Sequence, residues 1–147
     1  MALRTHKVTV QQKKDVCMAI SARGITILAD EPKQNGGSDL GLSPLELLLG
    51  SIGSCMAMTL FIYSYMKKIP LDSIDVDIEG DINTEALMDM SSHVRTGFQN
   101  IRTHFRVQSH APEEQVRALI DLAESKCPVG DTVRQGTTVT LNGVTLE

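Results

Sequence analysis

Three cysteines stand in 147 residues, Cys17, Cys55 and Cys127, and two of them are the residues best suited to chemistry. A thiolate is a nucleophile, and two thiols within reach of each other can run a cycle. One attacks an oxidant and becomes a sulfenic acid; the other resolves it to a disulfide. The competing reading is that each is a small buried hydrophobe, a common fate of a free cysteine. Cys55 lies inside an uncharged apolar run, and Cys127 continues an amphipathic stripe just before Pro128. Cys17 sits on an alternating segment with no acid or base pattern beside it, and reads as structural.

Other chemistries find little support. No Cys-x-x-Cys or His-x-x-x-His occurs, and His6, His93, His104 and His110 are scattered, so no metal site is expected. Phosphate-loop, dinucleotide and nucleophile-elbow patterns are absent from the sequence. The net charge of −4 argues against nucleic acid as a partner, because that surface needs a basic patch. An odd, small number of cysteines and no secretory-signal pattern point to the cytoplasm. The length fits one domain over residues 1–147.

The elements that must position the cysteines follow from periodicity. Ser43 as N-cap, Pro44 at the first helical position and Glu46 three residues after the cap open a helix. Leu47 to Met66 carries no charge, and Lys67-Lys68 complement the helix dipole at its end. Such a helix should be wrapped on nearly all sides, with Gly50, Ser51, Gly53 and Ser54 letting other backbone come close. It is also long enough to span a membrane. Five of the eight residues after Leu49 are Gly, Ser or Cys, however, and no second such segment occurs, so a buried core helix is expected.

Upstream, Lys7–Gln11, Val16–Ser21 and Ile25–Leu28 alternate as a meander of strands, with Val16, Met18 and Ile20 inward and Cys17 on the other face. Glu31–Leu42 has the Pro, Gly and Asn content of a loop. Downstream, Ile74–Glu79 and Ile101–Gln108 alternate as strands with acidic and basic outer faces, joined by the poorly patterned stretch Gly80–Arg95. Pro112 opens a helix whose apolar stripe is Val116, Leu119, Ile120 and Ala123, with Cys127 at its end. Thr137–Leu141 reads as a last strand before an Asn142-Gly143 turn. The fold class is α+β, an antiparallel sheet with a long central helix and a second helix.

The stretch from Ser43-Pro44-Leu45-Glu46-Leu47 to Cys55, with Lys126-Cys127-Pro128-Val129 at the second helix end, resembles the OsmC/Ohr family of osmotically induced and organic hydroperoxide resistance proteins. The approach through Asp30-Glu31-Pro32 and a glycine-bearing loop looks like the broad OsmC-like branch. The resemblance implies an intertwined homodimer acting as a thiol peroxidase on small hydrophobic organic hydroperoxides. It needs no cofactor beyond an external dithiol reductant, and no membrane. Cys55 matches the peroxidatic cysteine and Cys127 the resolving one. The family's thiolate-stabilising Arg from the N-terminal strands is best matched by Arg23, with Arg102 and Arg106 as substitutes, and the Glu that holds it by Glu46. In the family's hydroperoxide reductases that Glu directly follows the Pro, where this chain has Leu45. Glu46 also has its own explanation as the capping-box residue. A second reading is therefore a non-catalytic dimer of the same fold that binds a small apolar ligand.

Overall fold

The computed structural model describes residues 2–147. The chain gathers into two compact units, Met1–Gly50 and Ser51–Glu147.

In the first unit three antiparallel strands, β1 (Thr9–Lys14), β2 (Cys17–Ala22) and β3 (Ile25–Ala29), pair in sequence order. The β2–β3 turn is made by Arg23 and Gly24, both at positive φ (54° and 81°), the two-residue geometry that matches strand twist. The inward face is the reverse of the one expected. Cys17 and Ala19 are buried, whereas Val16 is exposed and Met18 and Ile20 are half-buried. A period of two defines two faces but does not say which is covered.

The loop after β3 is organised by a buried carboxylate. Asp30 accepts backbone N–H bonds from Glu31 (2.9 Å), Ser38 (3.1 Å) and Leu40 (3.1 Å). Two glycines permit the close backbone approach: a Cβ at Gly37 would lie 1.8 Å from the Glu31 carbonyl oxygen, and one at Gly41 2.1 Å from that of Leu28. The loop leads into α1 (Pro44–Lys67), and the capping box is present. Glu46 N–H donates to Ser43 Oγ (3.3 Å) and Ser43 N–H to Glu46 Oε2 (2.8 Å).

In the second unit β4 (Ser73–Asp81) and β5 (Asn100–Gln108) form an antiparallel pair. Their outer face alternates as expected, with Asp75 opposite Arg106, Asp77 opposite His104 and Glu79 opposite Arg102. The connection between them holds a short helix, α2 (Thr84–Met88), N-capped by Asn83. α3 (Glu113–Lys126) then lays Val116, Leu119 and Ala123 inward, and α4 (Pro128–Gln135) follows directly. Leu60, Leu119 and Ala123 form one core cluster, against which Ile74, Phe105 and Val107 pack. Burying a Leu this fully contributes about 1.5–3 kcal/mol.

Two expectations fail here. Within the single chain α1 is not wrapped: Ile52, Met56, Leu60 and Ser64 form a buried stripe of spacing four with Gly53 beside it, while Met58, Phe61, Ile62, Tyr65 and Met66 are exposed. Of the small residues, Gly53 sits where a Cβ would meet Ile78 and Val76 at ordinary contact distance, whereas a Cβ at Gly50 would meet nothing. The last strand is also absent. Residues 136–147 have no regular structure, and Val139, Leu141, Val144 and Leu146 are exposed. β-branched alternation makes a strand only where another edge pairs with it.

Candidate active site

Cys55 lies near the middle of α1, where its carbonyl accepts a hydrogen bond from Thr59 Oγ1 (2.8 Å). Cys127 is fully buried at the joint between α3 and α4. Ile52, Met56 and Cys127 make a second core cluster, and Cys55, Ile78, Ile101, Phe105 and Val129 pack against it. The two cysteines therefore meet, with their side chains in hydrogen-bonding reach and all three thiols of the chain free.

The setting of Cys127 was only half visible in the sequence. Pro128 does end α3, but it also occupies the first position of α4, where a residue without an N–H fits. Cys127 is thus the C-cap of one helix and the N-cap of the next, and its Sγ accepts the Gly130 N–H at 3.3 Å. Burial and the adjacent Cys55 sulfur push the Cys127 thiol up, while the Gly130 and Val129 amides pull it down; burial prevails. Cys127 is held as a thiol at neutral pH.

Gly130 and Arg134 complete this corner and were missed. A methyl on Gly130 would lie 3.3 Å from Arg134 Nη2, 3.4 Å from Met56 Cε and 3.5 Å from Cys127 Sγ. A cavity of about 190 Å³ opens here, walled by Ile52, Met56, Ile101 and Val133, with Arg134 and Glu124 supplying its charged groups. The only available signal was Cys-Pro read as a helix start; nothing marks Arg134 in sequence.

The other expected residues lie as follows. Arg23 is exposed in the β2–β3 turn of the first unit. One oxygen of Glu46 is engaged in the capping box. Arg102 and Arg106, the alternatives to Arg23, do not face the cysteine pair within the chain. They project from the sheet face opposite Ile101 and Phe105, where Arg102 pairs with Glu79 and Asp81, and Arg106 with Asp77. Among the described residues, no three His, Cys, Asp or Glu side chains come together as a metal site.

The family model for OsmC-like protein matches residues 36–142, a span that includes both cysteines of the pair and Glu46 but not Arg23. The chain belongs to the OsmC family. A hydroperoxide reductase of Mycoplasma pneumoniae is 23% identical to this OsmC-like chain over 132 residues, 89% of this chain and 88% of the relative. The crystal structure of an OsmC-like protein from Mycoplasma pneumoniae matches with a TM-score of 0.76 at 22% identity, covering 90% of this chain and 89% of that one. An organic hydroperoxide resistance protein OsmC from Legionella pneumophila matches with a TM-score of 0.65 at 16% identity, covering 91% and 92%. The OsmC fold is thus shared: mixed α+β, with antiparallel sheets and helices.

Proposed function

We propose that this OsmC-family chain is a thiol peroxidase of small hydrophobic organic hydroperoxides. The observation that carries the reading is the meeting of two free thiols, one half-exposed and one buried, in an apolar cluster. Cys55 gives up its proton and attacks the peroxide as thiolate; the O–O bond breaks, the alkoxide takes up a proton and leaves as an alcohol, and Cys55 becomes a sulfenic acid. Cys127 then gives up its proton and attacks that sulfur as thiolate, forming the S–S bond, and the proton leaves with the hydroxyl as water. An external dithiol restores both thiols. A buried partner kept protonated suits the resolving role, because it does not compete for the peroxide. The hydroperoxide reductase name of a relative supports the substrate class.

Arg23 and Glu46 keep, within the proposal, the thiolate-tuning roles that the family pattern implies. We also propose a cytoplasmic homodimer, free of membrane and nucleic acid. The uncovered apolar face of α1, with Tyr65 81% and Met66 69% exposed, calls for a covering partner. α1 also meets the length and composition of a membrane span, so fractionation without detergent tests this part.

The engagement of Glu46 in the capping box favours one other reading, a non-catalytic apolar-ligand binder. Stopped-flow consumption of cumene hydroperoxide by prereduced protein separates the two. The peroxidase loses two thiols per chain quickly and ends with Cys55 linked to Cys127; a binder reacts no faster than a free thiol. Cys55→Ser is expected to abolish consumption, and repeated turnover by that variant would sink the reading.

A further inference from the structure

Disulfide closure depends on what holds Cys127 beside Cys55. Cys127 is the single extended residue (φ −67°, ψ 113°) between α3 and α4, so two helices pivot on the residue that carries the sulfur. Beyond the core packing around it, the sulfur's position depends on what fixes α4 against α3. One side chain spans it. Arg134, in the last turn of α4, donates from Nη2 to the Glu124 carbonyl oxygen at 2.8 Å. Its Nη1 lies 3.8 Å from Glu124 Oε1. The Glu124 carbonyl is among the last four of α3, which have no partner inside the helix, and a cation there also meets the negative end of the helix dipole. The guanidinium fits because Gly130 carries no side chain, and the same empty place brings Met56 and Cys127 around one point.

We propose that Arg134 is the positioning residue for resolution, a latch that closes α4 onto the end of α3 and so keeps the Cys127 sulfur beside Cys55. This rests on the thiol-pair chemistry proposed above. The latch takes no part in bond making. It raises the share of chains in which Cys127 stands ready when the Cys55 sulfenic acid forms, the proximity that makes an intramolecular step fast. The Arg134–Glu124 contact is itself partly exposed, with 43% and 48% of the two side chains accessible, so the latch can open without unfolding the core.

The test compares Arg134→Gln, Arg134→Lys and Glu124→Gln with the wild type, using the full chain. Prereduced protein is alkylated with iodoacetamide under native conditions, and each cysteine is read separately by mass spectrometry. Loss of a charge-assisted bond predicts roughly tenfold faster labelling of Cys127 in Arg134→Gln. Cys17, also buried but in the other unit, labels at an unchanged rate and serves as the internal control. Arg134→Lys returns part of the protection. Glu124→Gln changes labelling less than about twofold, because the closer acceptor is the backbone carbonyl.

In a second arm, one equivalent of cumene hydroperoxide is added and the sulfenic acid is trapped with dimedone over time. Its lifetime lengthens in Arg134→Gln. Unchanged labelling of Cys127, or a rise at Cys17 in step with it, overturns the latch. If the wild type consumes no peroxide, the peroxidase reading fails while the labelling arm still decides the latch. If Arg134→Gln does not fold, Arg134→Lys carries the comparison: Cys127 labels faster than in the wild type with Cys17 unchanged, and equal labelling of Cys127 overturns the latch.

Discussion

The β4–β5 pair and the three-stranded sheet at the N-terminus are built on the same period of two and finish with different surfaces. In β4–β5 the alternation is complete. Ile74, Val76, Ile78, Ile101, Phe105 and Val107 face inward, while acids and bases pair on the outside. In β1–β3 the covered residues are the small Cys17, Ala19 and Ala29, and the branched Val10, Ile25 and Ile27 are exposed. One region satisfies its hydrophobic face within a single chain. The other holds its shape through backbone and loop and leaves its apolar side chains exposed. The thiol pair stands in the first kind of region, where cover is already in place.

The largest expected effects probe that division. Leu60→Ala, at a site with no exposure, should cost about 2–5 kcal/mol in denaturant melts. Ile27→Ala, at 48% exposure in the first sheet, should cost less than about 1 kcal/mol in dilute protein. A loss for Ile27→Ala equal to that for Leu60→Ala, in protein shown to be monomeric by sedimentation, would break the comparison.

Gly41→Ala comes next. Its new methyl would strike the Leu28 backbone, so destabilisation of about 1–3 kcal/mol is expected although almost no apolar area changes. A neutral result would mean that the N-terminal unit does not depend on the close approach of its loop.

The smallest effect is a pH dependence. Burial and the Cys55 sulfur raise the Cys127 thiol above its ordinary value of 9.0. Above that pH the unfolded chain sheds a proton that the folded chain keeps, so stability falls as pH rises. As pH rises past the ordinary thiol value of 9.0, the melting temperature of the wild type should decline more than that of Cys127→Ala. Parallel curves would show that the buried thiol adds nothing to the pH response.

Much of this was legible in the sequence. The strands β4 and β5, the start of α1 at Ser43-Pro44 and the stripe of α3 appear where periodicity and capping residues put them. So does the encounter of Cys55 with Cys127, which needs only that the two helices pack. What was not legible depends on partners far along the chain. Val16, Met18 and Ile20 look like the core face of β2, yet the cover reaches Cys17 and Ala19 instead. Thr137–Leu141 has the residues of a strand but pairs with no strand among the described residues. Pro128 reads as a stop and is also a start, and Arg134 matters through a backbone carbonyl that no sequence pattern marks.

The Gly130 amide has a spectroscopic consequence. It donates to Cys127 Sγ, so its nuclear magnetic resonance depends on the charge and bonding of that sulfur. A single backbone peak in a ¹⁵N-labelled sample should therefore follow the oxidation state of the thiol pair, cycle by cycle, with no dye and no change to the chain.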